Sequence, residues 1–207
     1  MTLLTVIQGK NCALLTSDLL MGSCTPEEMR LPRQLRTYHF SRVPTKWRQN
    51  IFGDYIGWHG ALTPQEDMAL YQTSLKKLER EGIQTVQTRA DAMSTVIFYA
   101  KANNAQLYQG YSDGNISPLH FGQSSYAGIP PEFSEAFVGR VARALRANPK
   151  YNAQAFREVS KVIEGLYFEY EQCCENFGGF TSHLLFPNRL ETIAFNLGKV
   201  VNHPPFS

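Results

Sequence analysis

An α+β domain of stacked sheets and helices is the fold class that this 207-residue sequence predicts, and three observations carry it. Apolar and β-branched runs of strand length occur near both ends and in the middle, and two long stretches repeat apolar residues at helical spacing. The order runs strands, helix, strands, helices, strands, with no repeat, low-complexity stretch or linker to divide it, so 1–207 reads as one domain. A chain of this length buries a core without disulfide or metal staples.

TLLTVIQ (2–8) and CALLTSDLL (12–20) read as a hairpin around Gly9-Lys10-Asn11, whose Gly and Asn tolerate positive φ. Two more strands are expected, Gln34 to Phe40 and Ile51 to Trp58, flanking the polar, basic loop SRVPTKWRQN. A helix then has a written start: Thr63 as N-cap, Pro64 in the first turn and Glu66 completing a capping box. Met68, Tyr71, Leu75 and Leu78 repeat along it, and Gly82 ends it. STVIFYA (94–100), AQLYQGY (105–111) and NISPLHFG (115–122) follow as a meander with Asn103-Asn104 and Asp113-Gly114 as turns. Pro130-Pro131 open a helix to about Asn148, and Asn152 caps another that carries Phe156, Val159, Ile163, Leu166 and Tyr170. Gly178-Gly179 interrupts, and FTSHLLF and LETIAFNL make two final strands.

The formal charge of +2, with Lys and Arg scattered, is too balanced for a nucleic-acid footprint. The basic stretch Arg42 to Arg48 with Trp47 reads as a solvated loop or a subunit interface. Cys12, Cys24, Cys173 and Cys174 lack the paired spacing of a zinc site and suit a reducing compartment as thiols. With no leader pattern and no apolar run approaching the roughly 20 residues that span a bilayer, the expectation is a cytoplasmic protein without membrane contact, metal or cofactor.

The chemistry starts at Thr2. If Met1 is removed, Thr2 carries a hydroxyl and a free α-amine, a nucleophile with its own base. The amine's ordinary pKa, near 7.7 to 8.0, lets a nearby cation leave it largely uncharged. Asp18, sixteen residues on, is either a strand-end residue or part of the same site. His59, between Trp58 and Gly60, reads as a groove-lining or packing residue before a general base.

TLLTVIQGKNCALLTSD, GWHGALTPQEDMALYQTSLKKLE, STVIFYAKANNAQLYQGYSDGNISPLHFGQSSYA and ENFGGFTSHLLF together resemble the proteasome β-type subunits, the family that includes the bacterial HslV peptidase. The resemblance runs over most of residues 2 to 186. It implies a four-layer αββα sandwich with two antiparallel sheets, the N-terminal nucleophile hydrolase fold. It also implies threonine-type hydrolysis of peptide bonds through an acyl enzyme, with Thr2 as nucleophile and Asp18 beside it. Gly60, Met21 and Gly22 become the substrate-binding positions, and Ser124 or Ser125 the supporting serine. The family's third-strand lysine falls on LPRQLR, giving Arg33 or Gln34; an arginine there would act electrostatically without shuttling a proton. Glu175 and Gly178 stand where the family carries Asp and Ser. The implied partners are further copies of the chain in a ring, an ATPase unfoldase, and a peptide or protein substrate. Two other readings stay open: a catalytically silent ring subunit, and an amidase or acyltransferase acting on a small molecule.

Overall fold

The computed structural model describes residues 2–23, 25, 27–31, 35, 39–49, 53–59, 96–111, 116–174 and 177–198. The expected helix from Thr63 to Gly82 lies outside the described residues, as do Gly60, Arg33, Gln34 and Glu175.

The expected hairpin is present as β1 (Leu4–Gln8) and β2 (Ala13–Ser17), joined in antiparallel register with Leu4 opposite Ser17. Gly9 holds its turn through lack of a side chain, not through positive φ: a Cβ would stand 2.5 Å from the Tyr151 carbonyl oxygen and 2.8 Å from that of Cys12. The second strand stops earlier than the apolar run suggests. Asp18 turns its carboxylate back onto main-chain N–H groups, and the chain resumes as β3 (Leu20–Ser23), which pairs with β4 (His39–Arg42) in a separate two-stranded sheet.

Two five-stranded antiparallel sheets form the body. One has the order β10-β1-β2-β11-β12, where β10 is Ser124–Ala127, β11 Phe180–Phe186 and β12 Arg189–Asn196. The other runs β5-β6-β7-β8-β9, from Arg48–Gln49, Tyr55–His59, Val96–Lys101, Gln106–Tyr111 and Ile116–Pro118. Of the expected strand 115–122 only Ile116–Pro118 is strand, and the chain then turns and enters the first sheet as β10. Gly122 lies in the left-handed region, at φ +79°, where the chain passes from one sheet to the other.

The first sheet is buried on both faces, which is why β1 and β2 read as continuous apolar runs instead of alternating ones. Leu4, Val6, Ala13, Leu15 and Leu185 pack against Phe98, Ala100 and Leu107 of the second sheet. On the opposite face, Ile7, Leu14, Phe180 and Leu184 meet two helices, α1 (Pro131–Ala147) and α2 (Ala153–Cys173). Both helices begin as the sequence predicts: Pro131 occupies the first turn of α1, and the Asn152 side chain accepts from the Ala155 N–H at 3.0 Å. Their inward stripes are Phe137, Val141 and Leu145, and Phe156, Val159, Ile163, Leu166, Tyr167 and Tyr170. The described layers are therefore helices, sheet, sheet. Thr2 and Leu3 lead into β1, in the doubly covered layer, so groups beside them are desolvated. No helix among the described residues is long and apolar enough to cross a membrane.

Candidate active site

Asp18 organises the start of the chain. It is fully buried, and Oδ1 accepts from the Leu3 N–H at 2.8 Å while Oδ2 accepts from the Leu20 N–H at 3.2 Å. Both oxygens also receive the Lys46 ammonium, each at 2.6 Å. The same Nζ donates to the Thr2 hydroxyl oxygen at 3.2 Å. One cation therefore joins the carboxylate to the candidate nucleophile.

Lys46 sits in the loop between β4 and β5, and the loop is tied to the body at several points. Val43 N–H donates to the Leu19 carbonyl at 2.9 Å, and Lys46 N–H to Ser17 Oγ at 3.4 Å. Trp47 is buried with its ring over Gly57 of β6, where a Cβ would come within 2.8 Å of the indole. The basic stretch is thus no solvated loop at this point: Lys46 is 6% exposed and Trp47 4%. Burial lowers the Lys46 pKa, and Asp18 opposes that shift; burial likewise raises Asp18, against the pull of Lys46. A lysine so desolvated can hold or release a proton closer to neutrality than a surface lysine can.

Sequence reasoning placed the partner of Thr2 at Arg33 or Gln34. Those two residues lie outside the described set, and the cation at the Thr2 hydroxyl is Lys46. The serines also part from expectation. In β10, Ser125 is opposite Val6 and Ser124 opposite Ile7, which puts both several residues along β1 from Thr2. Ser125 Oγ donates to Gln109 Oε1 at 2.5 Å, and Ser124 Oγ lies 2.8 Å from the Tyr126 hydroxyl. Neither forms a hydrogen bond with Thr2; the part of this segment that reaches Thr2 is Gly128. Met21 and Gly22 lie in β3 just beyond Leu20, and Gly22 is pressed against the Phe40 ring. Of ENFGG, Gly178 touches the site through its backbone, its carbonyl accepting from the Leu19 N–H at 2.9 Å.

Two further residues complete the surroundings of Thr2. The Tyr167 hydroxyl lies 3.2 Å from the Leu3 carbonyl oxygen, to which it donates, and 3.2 Å from Thr16 Oγ1. Burial drives its pKa far upward, so it remains a donor. His59, at the end of β6, brings Nδ1 to 2.6 Å from the Thr2 carbonyl oxygen. Tyr167 is at the same time part of the core beneath α2. Among the described residues no group of three His, Cys, Asp or Glu side chains could hold a metal.

The fold is of the HslV type. Two solved structures share it: Anbu from Hyphomicrobium sp. strain MC1, at TM-score 0.56 and 10% identity over 93% of this chain and 87% of that one, and eukaryotic HslV from Trypanosoma brucei, at TM-score 0.53 and 15% identity over 89% and 99%. At these identities the likeness establishes the fold. No protein-family model and no curated protein matches the sequence.

Proposed function

We propose that the chain is a threonine-type peptidase in which Thr2, exposed by removal of Met1, is the nucleophile. The observation that carries this reading is the Lys46 ammonium, 3.2 Å from the Thr2 hydroxyl oxygen and held by buried Asp18. A cation at that distance favours the alkoxide and leaves the hydroxyl proton for a base. In acylation, Thr2 Oγ bonds to the substrate carbonyl carbon while its proton passes to the α-amine. The C–N bond then breaks, and the departing amine takes that proton. Water next attacks the ester, giving up a proton to the α-amine, and the acid leaves as Thr2 Oγ–H is restored. Asp18 keeps Lys46 in place and compensates its charge throughout.

A silent ring subunit, which loss of the family's lysine, Asp and one Ser would favour, is the weaker reading, because Lys46 supplies a positive group beside the Thr2 hydroxyl. Self-association into a ring and service to an ATPase unfoldase belong to the same proposal and rest on the HslV-type fold. Intact-mass analysis after treatment with a peptide epoxyketone or β-lactone tests the reading. One adduct on Thr2, in protein lacking Met1, is expected. Retained Met1, or folded protein that never takes the adduct, would defeat it; selective turnover of a small amide over peptides would instead favour an amidase.

A further inference from the structure

The main chain immediately after the candidate nucleophile is held by side chains from separate elements. Leu3 N–H is bound by Asp18 after β2, and the Leu3 carbonyl by Tyr167 of α2. The Thr2 carbonyl is the next group back, and the ring of His59 reaches it at 2.6 Å. A carbonyl oxygen only accepts, so Nδ1 must carry the hydrogen, which in the neutral ring leaves the lone pair on Nε2. Gly128 closes the contact from the other side. It sits at φ +82°, and a Cβ there would lie 1.8 Å from the Thr2 carbonyl oxygen and 2.7 Å from His59 Nδ1. No residue with a side chain fits that gap.

We infer that His59 is a positioning residue for Thr2: its Nδ1–H fixes the Thr2 carbonyl, and with Asp18 on Leu3 N–H this aims the hydroxyl at Lys46. With Met1 removed, as the peptidase reading requires, rotation of Thr2 about its Cα–C bond is set by what grips that carbonyl. Losing the grip spreads the hydroxyl and α-amine over several orientations, only one of which meets Lys46. Burial lowers the His59 pKa, against the Thr2 carbonyl contact that raises it, which keeps the ring neutral at neutral pH. The inference rests on the peptidase reading above for the meaning of the aim, while the grip itself is a matter of geometry.

The experiment compares wild type, His59→Asn and His59→Leu by the rate of Thr2 modification with a β-lactone, alongside histidine 15N NMR. Asn places an amide N–H where Nδ1 stood, so H59N should react within about threefold of wild type. H59L leaves the carbonyl unpaired and should react roughly ten- to hundredfold more slowly, with unchanged affinity for a peptide amide that carries no electrophile. A Leu variant as fast as wild type, or an Asn variant as slow as Leu, would overturn the inference. If H59L does not fold, the Asn variant and the spectrum decide: at neutral pH wild-type His59 should show the Nδ1–H tautomer, and an Nε2–H tautomer would overturn the proposal. Wild type that takes no adduct defeats the peptidase reading instead, and the tautomer then decides the His59 grip separately.

Discussion

Lys46 and Asp18 form a buried ion pair whose partners depend on each other unequally. Asp18 retains the Leu3 and Leu20 N–H groups if the lysine is removed, whereas Lys46 without Asp18 is a cation 6% exposed and stripped of its counterion. Asp18→Asn should therefore cost about 3–5 kcal/mol in chemical denaturation. Lys46→Ala should be milder for stability and severe for chemistry, slowing Thr2 modification roughly a hundredfold or more. Lys46→Arg should fall between wild type and Ala, because a guanidinium keeps the charge but its planar fork cannot set it where the compact ammonium stands. Equal rates for Lys46→Ala and wild type would remove Lys46 from the mechanism. The Thr2 to Asp18 spacing was legible because the hairpin between them has a fixed register. Lys46 was not, since counting forward assumes a connection of set length, and here residues 24–38 intervene between β3 and β4. The overlooked signal was a lone lysine next to tryptophan in a loop read as solvated.

At the scale of elements, β6 serves the site twice, with Gly57 beneath Trp47 and His59 at Thr2. Gly57→Ala would drive a Cβ into three indole atoms between 2.8 and 3.1 Å away, and the rigid ring can yield only by moving the loop that carries Lys46. The expected result is a stability loss of about 1–3 kcal/mol, with Thr2 reactivity falling further than that loss explains. Full reactivity in a folded G57A protein would show that loop placement does not depend on the indole. The two described α-helices and the final strands were legible almost to the residue, because Pro131, Asn152 and the apolar stripes act locally. The crossing from β9 in one sheet to β10 in the other was not, because strand periodicity is blind to which sheet a segment joins. Ser124 and Ser125 were set beside Thr2 by resemblance alone, and they belong to β10.

For the whole molecule, His183 of β11 is a seam between layers. Its Nε2 lies 3.3 Å from both Thr45 and Thr181 Oγ1, and Nδ1 lies 3.0 Å from Thr192 Oγ1, so it joins the Lys46 loop to β11 and β12. Burial lowers its pKa to about 4. The unfolded chain takes up this proton below about 6.5 and the folded chain only below about 4. Stability from this group is intact above pH 6.5 and declines as pH falls between those values, by about 3 kcal/mol in full. Urea unfolding of wild type against His183→Gln over pH 4–7 should show a slope that the variant loses; parallel curves would refute the assignment.

The near-contact between Gly128 and the Thr2 carbonyl also supplies a way to recognise other chains built alike. A protein bearing any side chain at that place cannot seat its second residue in this pose, whatever its overall likeness. Across distant sequences, glycine there should travel with histidine at the end of β6 and lysine just ahead of a tryptophan. Chains that keep the threonine but break this set should hold it by some other means.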